Sequence, residues 1–368
     1  MRLLIITQRV DQDDSVLGFM HGWIKEFSKQ IENVNVVCLE KGNVDFSENV
    51  RIFSLGKEKF KARNFRLKLA ERFIYSWRFI RHIVRIRKDY DVVFVHMNPE
   101  YVVLGGWLWK LWGKTVTLWY AHKNVTLSLR VAEVFTDMIF TSTKSGFRLA
   151  SQKLRIIGQG IDTDKFKIHD LGFKSNAEKF KIITVGRITP SKDYEVLVEA
   201  VEIIRKRTSF EIKVDIVGPT SMASDRQYLD KLRERVVEKG LGESVSFKGS
   251  VPNRELPGVL AGYDLFVNMG HTGSLDKAVP EAMAVGLPVL TCNEAFKEVL
   301  GPYKEVLMYS KGDILGLADR LKYMMDMTDP QRLELGSKLR DIVVLNHSLT
   351  SFVKKIITEV LDFKKNGN

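Results

Sequence analysis

Cysteine is nearly absent from these 368 residues: Cys38 and Cys292 stand far apart, with no His or Cys beside either at metal-ligand spacing. That excludes a disulfide framework and a structural zinc site, and it suits a reducing compartment. Long apolar runs are lacking too. The nearest, Tyr101 to Trp112, is broken by Lys110 and the Gly105-Gly106 pair and falls short of the roughly 18 to 20 residues of a membrane span. The apolar opening, Leu3 to Ile6, is too short for a signal peptide and reads as a first strand. Low-complexity tracts and solenoid-period repeats are missing as well. These absences lead to the expectation of a cytoplasmic protein. What is present, 45% hydrophobic and 28% charged residues over this length, suits ordinary cores in two domains.

Charge is distributed unevenly. Between Lys57 and Lys88 twelve Lys or Arg face only Glu58 and Glu71, a local excess of +10 in a chain whose net charge is +12. Phe73, Trp77, Ile80 and Val84 recur there at helical spacing, so Phe65 to Lys88 is expected to form one helix. A basic, aromatic helix suits an anionic membrane surface, which would place the protein peripherally on the inner face of the cytoplasmic membrane. The alternative is a core-facing helix with a basic solvent face, and both hold if only its first turns are exposed. Nucleic acid is the weaker partner class, because no helix-turn-helix, zinc finger or RNA-recognition signature accompanies the charge.

Short β-branched runs alternate with helical stretches along most of the chain, the pattern of α/β domains with parallel sheets. Strands are expected at Leu3 to Thr7, Val34 to Leu39, Arg51 to Leu55, Val92 to His96, Thr115 to Trp119, Met138 to Thr141 and Leu154 to Ile157. The pattern restarts at Lys181 to Val185 and runs to Pro288 to Thr291, after a polar linker from Ile161 to Lys179. Residues 1–165 and 175–345 are thus expected as two Rossmann-like domains, with 346–368 a terminal helix.

Two stretches carry chemistry. Val185-Gly186-Arg187 ends a strand and Pro190-Ser191-Lys192 opens a helix, so Arg187, Lys192 and free backbone N–H groups gather at a sheet edge that suits a diphosphate. The plainer reading leaves both cations as solvated surface charges. Further on, the small-residue loop Gly270 to Lys277 leads into a helix with Glu281 in its first turn. A carboxylate there can accept two hydrogen bonds from a ribose diol, or merely complement the helix dipole.

Taken together, Val185-Gly186-Arg187, Lys192, Glu281-Ala282-Met283-Ala284 and Gly286-Leu287-Pro288-Val289 resemble the nucleotide-sugar domain of the family 4 retaining glycosyltransferases with the GT-B fold. Gly160 to Phe166 and Val217-Gly218 extend the likeness, which is firm from about residue 155 to 300 and loose before it. The resemblance implies two Rossmann-like domains facing across a cleft, the first binding acceptor and the second donor, with the terminal helix returning to the first. It implies transfer of a hexose from a UDP- or GDP-sugar to a glycan or lipid-linked glycan, without cofactor or metal. Arg187 and Lys192 would stabilise the leaving diphosphate and Glu281 would hold the ribose. Gly186, Ser274, Leu275, Asp276 and Lys277 would line the donor, Gly18 would lie near its phosphates, and His122 would face its sugar.

One departure concerns Gly273, which stands eight positions before Glu281, where the family usually carries a second Glu. Asp276 or Lys277 is expected to take over its contacts to sugar hydroxyls. His96 also ends a strand and is a second histidine candidate. Asp162-Thr163-Asp164 spells a metal-binding triplet but falls in the linker, and Asp11, Asp13 and Asp14 lack the Gly and terminal Glu of a calcium loop. The other readings kept open are a nucleotide-sugar epimerase or hydrolase, and a membrane- or nucleic-acid-binding protein on a degenerate GT-B fold.

Overall fold

The computed structural model describes residues 1–59, 65–167, 179–208, 210–271 and 273–366. Residues 60–64 of the basic segment and 168–178 of the expected linker lie outside them. The chain divides into two compact units, Met1–Gly160 with Leu349–Asn368, and Ile161–Ser348.

In the first unit the strands are β1 (Arg2–Val10), β2 (Asn33–Lys41), β3 (Val50–Ser54), β4 (Val92–His96), β5 (Thr115–Trp119), β6 (Met138–Thr141) and β7 (Leu154–Ile156). They form one seven-stranded parallel sheet in the order β3-β2-β1-β4-β5-β6-β7. Every residue of β4, β5 and β6 is buried, so these strands read as continuous apolar runs rather than as alternations. Successive residues of β1 feed opposite faces: Leu3 and Ile5 join one core, Leu4 and Ile6 another. Helices Phe19–Gln30 and Leu349–Asn366 share the first core, where Trp23 packs 4.3 Å from Phe352 and donates through Nε1 to the Gly160 carbonyl at 2.8 Å.

Helix Phe65–Arg85 serves the opposite core through Phe79 and Ile83, both fully buried. Of the stripe read from the sequence, Phe73 and Trp77 are 71% and 61% exposed, while Ile80 and Val84 flank the core. Helix period alone cannot say which of two overlapping stripes packs, and here the one aligned with the sheet wins.

The second unit carries β8 (Lys179–Val185), β9 (Glu211–Val217), β10 (Val245–Gly249), β11 (Leu265–Asn268) and β12 (Val289–Thr291), again all parallel, in the order β10-β9-β8-β11-β12. In both sheets the strand order reverses beside the first strand, between β1 and β4 and between β8 and β11. Crevices at the carboxyl ends of such switch points are where open α/β sheets bind ligands. Among the described residues, no helix is long and apolar enough to cross a membrane.

Two glycines permit backbone contacts that fix the site. A Cβ on Gly218 would stand 1.8 Å from the Gly186 carbonyl oxygen, and one on Gly336 1.9 Å from that of Gly286. Gly336 lets helix Asp329–His347 lie against the end of helix Ala278–Val285, where Arg340 also donates to the Ala284 carbonyl. Gly336→Ala must push these helices apart, and overpacking of this kind costs about 1–3 kcal/mol. Its thermal midpoint should fall by about 2–12 °C in a circular-dichroism melt. A midpoint within 1 °C of wild type would mean that the helices do not meet this closely.

Candidate functional site

The β8–β11 switch point gathers the strongest candidates. Beyond β8, Gly186 donates its N–H to the Val217 carbonyl at 2.9 Å, and Ile188 does so to Pro219 at 2.9 Å, holding the strand end against its neighbour. The Tyr194 hydroxyl donates to the carbonyls of Gly186 and Arg187 at 3.2 and 3.4 Å, fixing the turn from below. Arg187 is exposed at this edge. Lys192 runs across it: a Cβ on Gly186 would lie 3.6 Å from Lys192 Cε, and one on Gly270 would lie 3.2 Å from Lys192 Cδ. The amine thus reaches from the end of β8 to the end of β11.

There it meets Asp276 in an ion pair whose side chains are 14% and 17% exposed. Asp276 Oδ2 also accepts from Asn268 Nδ2 at 2.8 Å. Asn268 is held in turn by Thr291, which donates to its Oδ1 at 3.0 Å, and by Tyr309, which donates to its carbonyl at 3.0 Å. His271 Nδ1 lies 3.0 Å from Asp193 Oδ2 but is not aligned for a hydrogen bond.

Glu281 lies in the first turn of helix Ala278–Val285 and is buried. Its Oε1 accepts from Asn253 Nδ2 at 3.4 Å, and the Asn253 Oδ1 accepts from Lys165 Nζ at 2.6 Å. Burial pushes the Glu281 carboxyl up and the ammonium groups of Lys277 and Lys165 down, while attraction between the carboxylate and both cations works the other way. Asn253 and Lys165 were not singled out in the sequence. They stand 88 residues apart, and no local motif signals that a linker lysine folds back onto a loop asparagine. Between the two clusters, Gly273 adopts φ +76°, Leu275 is buried, and the Ser274 carbonyl accepts from Asn293 Nδ2 at 2.8 Å. The loop is therefore anchored at Ser274 and Leu275, and it spends Asp276 and Lys277 on separate partners.

The remaining candidates belong to the other unit. His96, buried at the end of β4 beside the β1–β4 switch point, has Nδ1 3.5 Å from Thr7 Oγ1 and meets Phe19 and Trp23 edge-on at 5.7 and 5.6 Å. Gly18 precedes helix Phe19–Gln30 with φ −56° and ψ −24°, a conformation open to any residue, so the backbone itself does not demand glycine there. His122 follows β5 half-buried, and its Nδ1 accepts from the Asn124 N–H at 3.1 Å. Burial, and after it Lys123, lowers its pKa, so the ring is neutral at pH 7 with its proton on Nε2, a hydrogen-bond donor.

The acidic triplets are occupied locally. Asp11 Oδ1 accepts from the N–H groups of Asp13 and Asn43, Asp14 Oδ1 accepts from those of Val16 and Leu17, and Asp162 Oδ1 accepts from that of Lys165. Among the described residues, no group of three or more His, Cys, Asp or Glu is arranged to hold a metal ion.

Residues 166–341 match the family model described as glycosyl transferases group 1. A putative colanic acid biosynthesis glycosyltransferase, WcaL of Escherichia coli K12, is 24% identical over 220 residues, covering 56% of this chain and 52% of that one. A GDP-mannose-dependent α-(1-6)-phosphatidylinositol monomannoside mannosyltransferase of Mycobacterium tuberculosis is 27% identical over 177 residues, covering 43% of this chain and 44% of the relative. The chain thus spans about half the length of these curated relatives. Among solved structures, Anabaena Alr3699/HepE in complex with UDP has a TM-score of 0.74 at 15% identity, covering 98% of this chain and 100% of that one. Sucrose-phosphate synthase from Thermosynechococcus elongatus has a TM-score of 0.78 at 15% identity, with full coverage of both chains. At such identities the likeness is one of fold, and it agrees with the paired parallel sheets expected of GT-B proteins.

Proposed function

From the match of residues 166–341 to the group 1 glycosyl transferases, we propose that this protein moves a hexose from a nucleotide-diphosphate sugar to a hydroxyl of a glycan or lipid-linked glycan, with retention at the anomeric carbon. The observation that carries this reading is the reach of Lys192 across the β8–β11 switch point, with Arg187 exposed at the end of β8 and Glu281 buried in helix Ala278–Val285.

In this reading the anomeric carbon–oxygen bond breaks with its electron pair going to the diphosphate, and the acceptor oxygen bonds to the carbon and yields its proton to the departing phosphate oxygen. Negative charge grows on the leaving phosphate as the sugar becomes oxocarbenium-like. Cations already fixed at that place lower the barrier without reorganising. Arg187 and Lys192 supply two such charges, so the proposed step calls on no metal ion. Glu281, steadied by Asn253 and opposite Lys165, accepts from the ribose hydroxyls. His122 donates from Nε2 to a sugar hydroxyl. Gly186, Ser274, Leu275 and Lys277 shape the donor loop, and Gly18 belongs to the phosphate-side loop of the first unit.

A thermal-shift screen with UDP, GDP, ADP and their common sugars tests donor binding, because a ligand that binds only the native state raises its apparent stability. One nucleotide series should raise the midpoint, and Arg187→Ala should abolish the rise. No response to any nucleotide would sink the reading. Product analysis then separates transfer from hydrolysis or epimerisation.

The exposed Phe73, Ile74 and Trp77, with Arg72 on the same helix and the Arg81 guanidinium 5.4 Å from the Trp77 ring centre, favour docking of the first unit on an anionic membrane. Such a surface would bring a lipid-linked acceptor within reach. Replacing Phe73 and Trp77 together by Ser should lower sedimentation with phosphatidylglycerol vesicles by about tenfold or more, since each aromatic buries substantial apolar area. Unchanged sedimentation, or tighter binding to RNA than to vesicles, would direct the basic segment to another role.

A further inference from the structure

Lys192 does not wait for a ligand as an unneutralised cation. Its amine is paired with Asp276, and that carboxylate is itself fixed: Asn268 donates to it at 2.8 Å, and Thr291 and Tyr309 hold Asn268 at 3.0 Å each. Turning Asp276 away would break this chain of hydrogen bonds, so the negative charge stays beside the amine. Both side chains are mostly buried, which weakens screening by solvent and salt. Gly270 leaves room for the Lys192 side chain, since a Cβ there would stand 3.2 Å from its Cδ, while one on Gly186 would make only ordinary contact at 3.6 Å from its Cε.

A diphosphate entering here meets a cation and a fixed carboxylate together. The two ligands of the proposed reaction differ in charge at that point. In a nucleotide sugar the phosphate next to the sugar is esterified and carries one negative charge. In the free nucleoside diphosphate the same phosphate is terminal and carries nearly two at neutral pH, as phosphate monoesters with a second pKa near 6 do. A fixed carboxylate therefore repels the doubly charged terminal phosphate about twice as strongly as the singly charged ester. We propose that Asp276 is a specificity-determining residue of the diphosphate subsite: its pairing with Lys192 weakens free nucleoside diphosphate more than intact donor and so favours release of the product. This rests on the reading that Lys192 meets the diphosphate.

The test is isothermal titration of wild type, Asp276→Asn and Asp276→Ser with UDP and UDP-glucose, and with GDP and GDP-mannose. Asn keeps the shape and an acceptor for Asn268, and Ser is a second neutral replacement should the first fail to fold. The expected result is a dissociation constant at least tenfold lower for the free diphosphate and lowered by only about threefold for its sugar, half the effect on a logarithmic scale, with product inhibition tightening in step. Equal gains for both ligands, or unchanged or weaker binding of the free diphosphate, would overturn the assignment. Selective loss of the nucleotide sugar would also overturn it, since Asp276 would then be holding sugar hydroxyls. Absence of nucleotide binding in all three proteins defeats the transferase reading instead, and the proposal with it.

Discussion

Lys192→Ala is expected to lower turnover by about 10²- to 10³-fold, the loss found when one preorganised charge-stabilising donor is removed from a transition state. The argument turns on placement. Lys192 passes the glycines at 186 and 270 between the ends of β8 and β11, and its largely buried amine is held by Asp276, so little reorganisation is needed as charge develops. Arg187, exposed at the same edge, should follow with a smaller loss, because solvent replaces part of what it supplies. Steady-state rates with saturating donor decide the matter. A drop below about threefold for both variants would remove the pair from the chemistry. Lys192→Ala also leaves Asp276 without its cation, so a melt of the variant must accompany the rates.

Glu281→Gln is the second large effect. Losing two charge-assisted hydrogen bonds from the ribose, each worth about 1.5–3 kcal/mol, should weaken nucleotide binding by about 100-fold or more. The diagnostic comparison uses a 2′,3′-dideoxynucleotide, which wild type and variant should bind alike. If the variant loses the dideoxy ligand as strongly as the ribose form, Glu281 is acting on something other than the diol. Glu281→Ala should in addition destabilise the second unit by about 3–5 kcal/mol, because Lys277 and Lys165 lose the carboxylate that offsets their burial and must either hold charge in a poorly solvated place or give up a proton. Chemical denaturation of the two variants separates loss of the ligand contact from loss of stability.

The fold was legible wherever a strand is buried on both faces. Thr115–Trp119 and Met138–Thr141 are unbroken apolar or β-branched runs, Val92–His96 is one up to its final histidine, and their limits coincide with the expected ones. Val245–Gly249 did not stand out, since it is an edge strand with Ser246 and Lys248, and its pairing slips between Phe247 and Gly249. Site residues followed the same rule of locality. Lys192 and Glu281 drew attention because a turn and a helix start surround them in sequence. The Lys165–Asn253–Glu281 chain is assembled from three distant segments, and the Lys192–Asp276 pair from two, so neither has a local signature. Asp276 was expected to address sugar hydroxyls. Its observed partners are Lys192 and Asn268, a choice made by which side chains converge at a strand end rather than by any spacing along the chain.

The helix Leu349–Asn366 gives the chain an unusual order of synthesis. Phe352, Val353, Ile356 and Val360 complete the core that includes Leu3, Trp23 and Phe94, yet they are made after all of Ile161–Ser348. Domains usually fold in the order in which they leave the ribosome. Here the unit begun first must wait, with Trp23 lacking its Phe352 contact, until helix Leu349–Asn366 has emerged, while the unit begun second emerges whole. The nascent chain therefore carries an unfinished apolar face on its first unit throughout synthesis of the second.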